Sequence, residues 1–186
     1  ERNKYCTEET PLNPISLYGK TKSDAEKLVM SHKNSISFRL ATVFGYSYRM
    51  RTDLLVNFMT REAYLNKKLV LFEPNFRRNF IHINDIVDAF IFSINNFKKL
   101  KGNIYNLGLS SANITKLELA KRIKKIIKEL QIFIDKKGFD PDKRDYVVSN
   151  KKIEKSGFKA TTTLEKGIKE LVDVYKYSNS NFKNNY

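Results

Sequence analysis

A chain of 186 residues with 41% hydrophobic side chains, 13 phenylalanines and 10 tyrosines carries enough apolar surface to bury a core, which excludes a disordered chain. Its one cysteine, Cys6, rules out an internal disulfide, its two histidines, His32 and His82, are too far apart in sequence to suggest a structural metal site, and no apolar run approaches the ~18 residues of a membrane span. The net charge of +15 is scattered, with concentrations at 98–101 and 116–128 where lysines share helices with acids, so it reads as a solvated surface that attracts phosphorylated ligands rather than as a nucleic-acid stripe.

Residues 1–13 read as an irregular lead-in, with Pro11 and then Pro14 punctuating it. Ser16 caps the helix that follows, whose apolar face is Ala25, Leu28 and Val29. On that helix Tyr18 and Lys22 are four residues apart and share a face, which makes them a candidate acid/base pair. A phenol ionises near ~10, and a neighbouring ammonium favours the phenolate. The spacing alone is weak evidence, because Tyr64 and Lys68 repeat it at what reads as an exposed helix end.

Residues 35–45 then form a largely apolar strand stopped by Gly45, and helix followed by such a strand is the second half of a βαβ unit in a parallel sheet. The carboxyl end of this strand, 42–45, is where open α/β sheets place ligands. After an aromatic and basic loop at 46–52, Thr52 is expected to cap a helix over 53–65. A short strand over 69–72, a turn, and an extended piece over 77–83 follow. Asn84 is expected to cap a helix with Val87, Phe90, Ile91 and Ile94 on its apolar face. Residues 103–107 form a strand, and two helices open with Thr115/Glu118 and Thr162/Glu165 capping boxes. The first of these buries Leu119, Ala120, Ile123, Ile126, Ile127 and Leu130. Residues 135–146 form a polar loop, 150–156 a short helix ended by Gly157, and 178–186 a fraying tail.

Four segments together resemble the extended short-chain dehydrogenase/reductase family, specifically its nucleotide-sugar epimerases and dehydratases. They are Pro14-x-Ser16-x-Tyr18-Gly19-x-x-Lys22 with Glu26 downstream, the run from Arg39 to Gly45, the run from Arg78 to Asp85, and Asp142-x-Arg144 followed by Lys152, Gly157 and Leu164-Glu165-x-Gly167. The resemblance implies an α/β fold: the C-terminal part of a Rossmann-type parallel sheet plus a small α+β substrate-binding domain. Residues 1–45 would be the last portion of the NAD-binding domain, with 69–110 partly returning to it, and 46–68 with 111–177 mainly the substrate-binding domain.

It also implies roles. Tyr18 would be the general base that takes a proton from a sugar hydroxyl while NAD, or NADP, accepts hydride, and Lys22 would hold the nicotinamide ribose and lower the phenol's pKa. Ala41 would approach the nicotinamide, and Thr42, Leu54 and Leu55 would face a nucleotide-diphosphate sugar. Arg78 and Arg144 would grip its diphosphate, for which fixed, bidentate guanidinium groups suit better than lysine. A cytoplasmic enzyme is implied, with homodimerisation in the full-length protein and no metal, membrane or nucleic-acid partner. The same pair would serve a nucleotide-sugar reductase or dehydrogenase, and a non-catalytic basic module binding polyanions is the reading from a different class.

The sequence departs from the family pattern in three places. Thr42 stands where the family has Asn, and Tyr46 where it has Pro. None of the seven glycines makes the Gly-x-x-Gly-x-x-Gly phosphate turn. The chain is therefore expected to begin partway through the family's first domain and to be inactive alone.

Overall fold

The expected strand over 35–45 forms, but in two pieces that pair with different neighbours. The computed structural model describes residues 4–136, 138 and 145–177. In chain order its elements are β1 (Lys4–Cys6), α1 (Leu17–Met30), β2 (Ile36–Leu40), β3 (Thr42–Phe44), α2 (Leu55–Asn66), β4 (Lys68–Phe72), β5 (Arg77–His82), α3 (Ile83–Asn95) and α4 (Phe97–Leu100). Then come β6 (Asn103–Leu107), a 3-10 turn at Ser110–Ala112, β7 (Asn113–Thr115), α5 (Lys116–Ile126), β8 (Gln131–Asp135), β9 (Tyr146–Val148), α6 (Lys151–Ser156) and α7 (Leu164–Tyr177).

β2 runs parallel to β6, with Ile36 opposite Asn103 and Leu40 opposite Leu107. At Ala41 the chain changes partner: its N–H still donates to Leu107 O (2.9 Å), but from Thr42 onward β3 runs parallel to β5, Thr42 opposite Phe80 and Phe44 opposite His82. β5 is also paired antiparallel with β7. Two further parallel pairs, β4 with β8 and β1 with β9, complete the strands. The fold is thus α/β with mostly parallel pairing, as the crossover pattern predicts. The core lies between β3, β5 and helices α2, α5 and α7, where Phe44, Phe80, Ile81, Leu119, Ile123 and Leu171 are all but fully buried.

Several local expectations need correction. The 1–13 lead-in contains β1, and the 135–146 stretch gives way to β9; both are three-residue strands too short to show alternation. The strand β8 follows Leu130 directly and was not foreseen. α2 starts two residues later than 53, at Leu55, and its N-cap Leu54 makes no side-chain bond, so Thr52 does not cap it. α3 is capped by His82, whose side chain accepts from the Asn84 N–H, rather than by Asn84.

The Thr115/Glu118 box forms with both bonds in place. The second box does not: Thr163 Oγ1 accepts from the Lys166 N–H (3.2 Å). The Asp85 carboxylate instead takes the N–H groups of Thr161 (3.0 Å) and Thr162 (3.1 Å), which shifts the helix start by one residue.

The larger correction concerns two helix faces. In α1 the only buried residue is Ser23, while Ala25, Leu28 and Val29 are exposed. In α3 the buried set is Asp85, Ile86, Ala89 and Ser93, and the stripe of Val87, Phe90, Ile91 and Ile94 faces outward. Both stripes exist, yet apart from the edge-on contact of Phe90 with Phe38 of β2 they are left largely uncovered by the described residues.

Candidate active site

Tyr18 is the second residue of α1, whose start is fixed by Ser16 Oγ accepting from the Gly19 N–H (3.1 Å). Its side chain is 72% exposed. The Lys22 ammonium lies over the Tyr18 ring, 5.6 Å from its centroid, so the shared helical face does bring the two groups together. The contact is a cation on the π face, which at an exposed position contributes about 0.5–1 kcal/mol.

What ties this helix to the sheet is a bond that sequence spacing does not reveal. Arg39 of β2 donates from Nε and Nη2 to the two carboxylate oxygens of Glu26 on α1 (2.9 and 2.8 Å), and from Nη1 to Glu8 O (2.9 Å). The bonds to Glu26 hold the guanidinium's pKa above its ordinary value, against the opposing effect of burial. Glu26 and Arg39 are both members of the segments that carry the family resemblance, yet nothing in the spacing marks them as partners.

Immediately after Arg39 and Leu40, Ala41 sits at the break between β2 and β3, and Thr42 opens β3; both are half-buried. Leu54 and Leu55 are at the amino end of α2, which packs against β3. Arg78 lies on β5, the strand beside β3; it is buried, and Nη1 donates to Arg77 O (2.8 Å). These five residues therefore gather around the β3–β5 pair, with Tyr18 and Lys22 attached through the Arg39–Glu26 bond. Arg144, with Asp142, lies outside the described residues. The neighbouring Asp145 is paired with Arg77, whose backbone N–H and Nε both donate to Oδ1 (3.0 and 3.1 Å).

The carboxyl ends of the parallel strands β2, β3, β5 and β6 all point the same way, so the 45–51 loop emerges at the end of the sheet where ligands of open α/β folds bind. Two buried polar side chains behind that loop, Asn57 and His82, were not foreseen as site residues. Each contacts partners distant in sequence, which periodicity does not report. Among the described residues no three metal-ligating side chains lie together, and no helix is long and apolar enough to cross a membrane.

The NAD dependent epimerase/dehydratase family model matches residues 2–108. The chain is 28% identical over 190 residues to the dTDP-D-glucose 4,6-dehydratase of Mus musculus, an alignment covering 95% of this chain and 52% of that protein. The structure superposes on that of the dTDP-glucose 4,6-dehydratase of Bacillus anthracis in complex with NAD with a TM-score of 0.75 at 24% identity, covering 96% of this chain and 58% of that one. For the UDP-glucose 4-epimerase of Thermotoga maritima with UDP-glucose the TM-score is 0.80 at 19% identity, with 95% and 58% covered. The chain spans about half, or less, of the length of the curated relatives it matches.

Proposed function

The chain belongs to the NAD-dependent epimerase/dehydratase family, and from that premise we propose that it forms the sugar-facing part of an enzyme acting on a nucleotide-diphosphate sugar. The observation that carries the reading is the joining of the Tyr18–Lys22 helix, through Glu26 and Arg39, to β2, which leads directly to Ala41 and Thr42. This arrangement supports a proton-transferring phenol beside the carboxyl end of a parallel sheet.

The residues present suit one half of the dinucleotide. Tyr18, Lys22 and Ala41 would hold the nicotinamide side, whereas no strand-to-helix turn in the described residues is glycine-rich: β5 passes directly into α3, with His82 as its cap. When bound, NAD supplies a reversible acceptor for hydride. Tyr18 Oη takes the proton of the sugar hydroxyl, with the Lys22 cation beside its ring. Arg78 and Arg144 neutralise the diphosphate, and Thr42, Leu54 and Leu55 face the sugar and its nucleoside.

Thermal unfolding of the purified 186-residue chain with UDP, GDP, CDP and dTDP, alongside duplex DNA, tests the reading. Specific protection by one nucleoside diphosphate, without turnover or micromolar NAD binding by the isolated chain, is the expected result. Salt-steep binding to unrelated DNA with no nucleotide protection would replace it with the polyanion-binding reading.

A further inference from the structure

The 45–51 loop is held at three points by side chains that no part of the reaction uses. The Gly45 N–H donates to Asn57 Oδ1 (3.1 Å), and Asn57 Nδ2 donates to Arg51 O (2.9 Å), so one buried amide on α2 closes both ends of the loop. Between them, the Tyr46 N–H donates to Oε1 of Glu170 on α7 (3.1 Å). Oε2 of the same carboxylate is 3.3 Å from Nε2 of His82, a close contact without hydrogen-bond alignment. His82 is fully buried, and its Nδ1 accepts from the Asn84 N–H (3.3 Å).

The room for this ring is made by two glycines. A Cβ on Gly45 would stand 2.4 Å from Nε2, and one on Gly167 would stand 2.9 Å from Cδ2 and 2.4 Å from Phe44 Cε2. Gly45 also has φ of +111°, which side-chain-bearing residues rarely adopt. α7 also holds the backbone of Asn57, since Tyr175 Oη donates to the Asn57 main-chain O (3.2 Å). What the loop carries outward is Tyr46, Tyr48 and Arg49, all exposed, at the carboxyl end of β3.

We propose that Asn57 and Glu170, the latter seated against His82, are positioning residues that hold the 45–51 loop in a fixed shape for the nucleotide-sugar. The aromatic and cationic side chains of that loop then meet the ligand without an ordering cost at binding. This rests on the nucleotide-sugar reading above for the identity of the ligand, but not for the clamp itself.

The test combines amide hydrogen exchange with nucleotide affinity in the 186-residue chain. Glu170→Ala should raise the exchange rate of the Tyr46 amide by about tenfold or more while leaving core amides of α5 unchanged. Asn57→Ala should do the same at Gly45. Glu170→Gln, which keeps an acceptor oxygen, should restore Tyr46 protection. UDP affinity, measured by calorimetry, should fall about tenfold in Glu170→Ala and recover in Glu170→Gln. Unchanged Tyr46 exchange in Glu170→Ala overturns the clamp, and a loosened loop with undiminished UDP affinity overturns its positioning role. If the wild-type chain binds no nucleoside diphosphate at all, the nucleotide-sugar reading fails and the positioning role with it, while the exchange data still decide whether the loop is held.

Discussion

Glu26→Ala strikes the bond that fastens the Tyr18 helix to the sheet. It removes both carboxylate acceptors of Arg39 and leaves only the Nη1 bond to Glu8 O. The two side chains keep 22% (Arg39) and 12% (Glu26) of their surface exposed, so water reaches the orphaned guanidinium only in part. A hydrogen bond to a charged group contributes ~1.5–3 kcal/mol, and breaking a fully buried pair costs ~3–5 kcal/mol, which places this partly solvated case at about 2–3 kcal/mol.

At ~2–4 °C per kcal/mol for a domain of this size, Tm should fall by about 4–12 °C. Because the folded-state pKa of Arg39 is raised, its contribution is present below the ordinary guanidinium range and is not lost as pH rises through neutrality. Thermal melts and urea midpoints of Glu26→Ala, Arg39→Met and the double variant give the coupling. A Tm change under about 1 °C in Glu26→Ala, or a double-variant cycle with no coupling, would refute the reasoning.

Burial pushes the Tyr175 phenol up to about 12, so the unfolded chain ionises first as pH rises past ~10, and wild type should lose about 2 kcal/mol more than Tyr175→Phe between there and pH 12 in urea titrations. At neutral pH the same variant should lose the Asn57 O bond, worth ~1 kcal/mol. Gly167→Ala places a methyl 2.4 Å from Phe44 Cε2 and should cost ~1–3 kcal/mol or more in equilibrium unfolding. On α3, Ile94→Lys should leave the stability of this chain within ~0.5 kcal/mol, whereas Ala89→Lys, on the buried side, should abolish cooperative unfolding by circular dichroism.

The parts of the fold that are legible in sequence are those set by local chemistry. The Thr115/Glu118 box, the β-rich run at 103–107 and the glycine after Ser156 each determine their element within a few residues. The second capping box fails because a distant carboxylate, Asp85, takes the amides that local pattern assigns elsewhere. The stripes on α1 and α3 show why periodicity reports amphipathicity but not what lies against it: Phe90 touches Phe38 edge-on, yet most of that face remains uncovered. The meeting of the Tyr18 and Lys22 side chains was legible from helical spacing. Asn57, Glu170 and the Arg39–Glu26 bond were not, because each joins elements that only the folded chain brings together.

The pairing of β1 with β9 has a kinetic consequence. Lys4 finds its partner Tyr146 only after almost all the other elements have been laid down, and β2, β3 and β4 likewise wait for β6, β5 and β8. Each of these parallel contacts closes a long loop before it is rewarded, so this topology belongs with the slow folders, on the millisecond-to-second scale rather than the microsecond one. A chain that stops before Tyr146 lacks the strand with which β1 pairs.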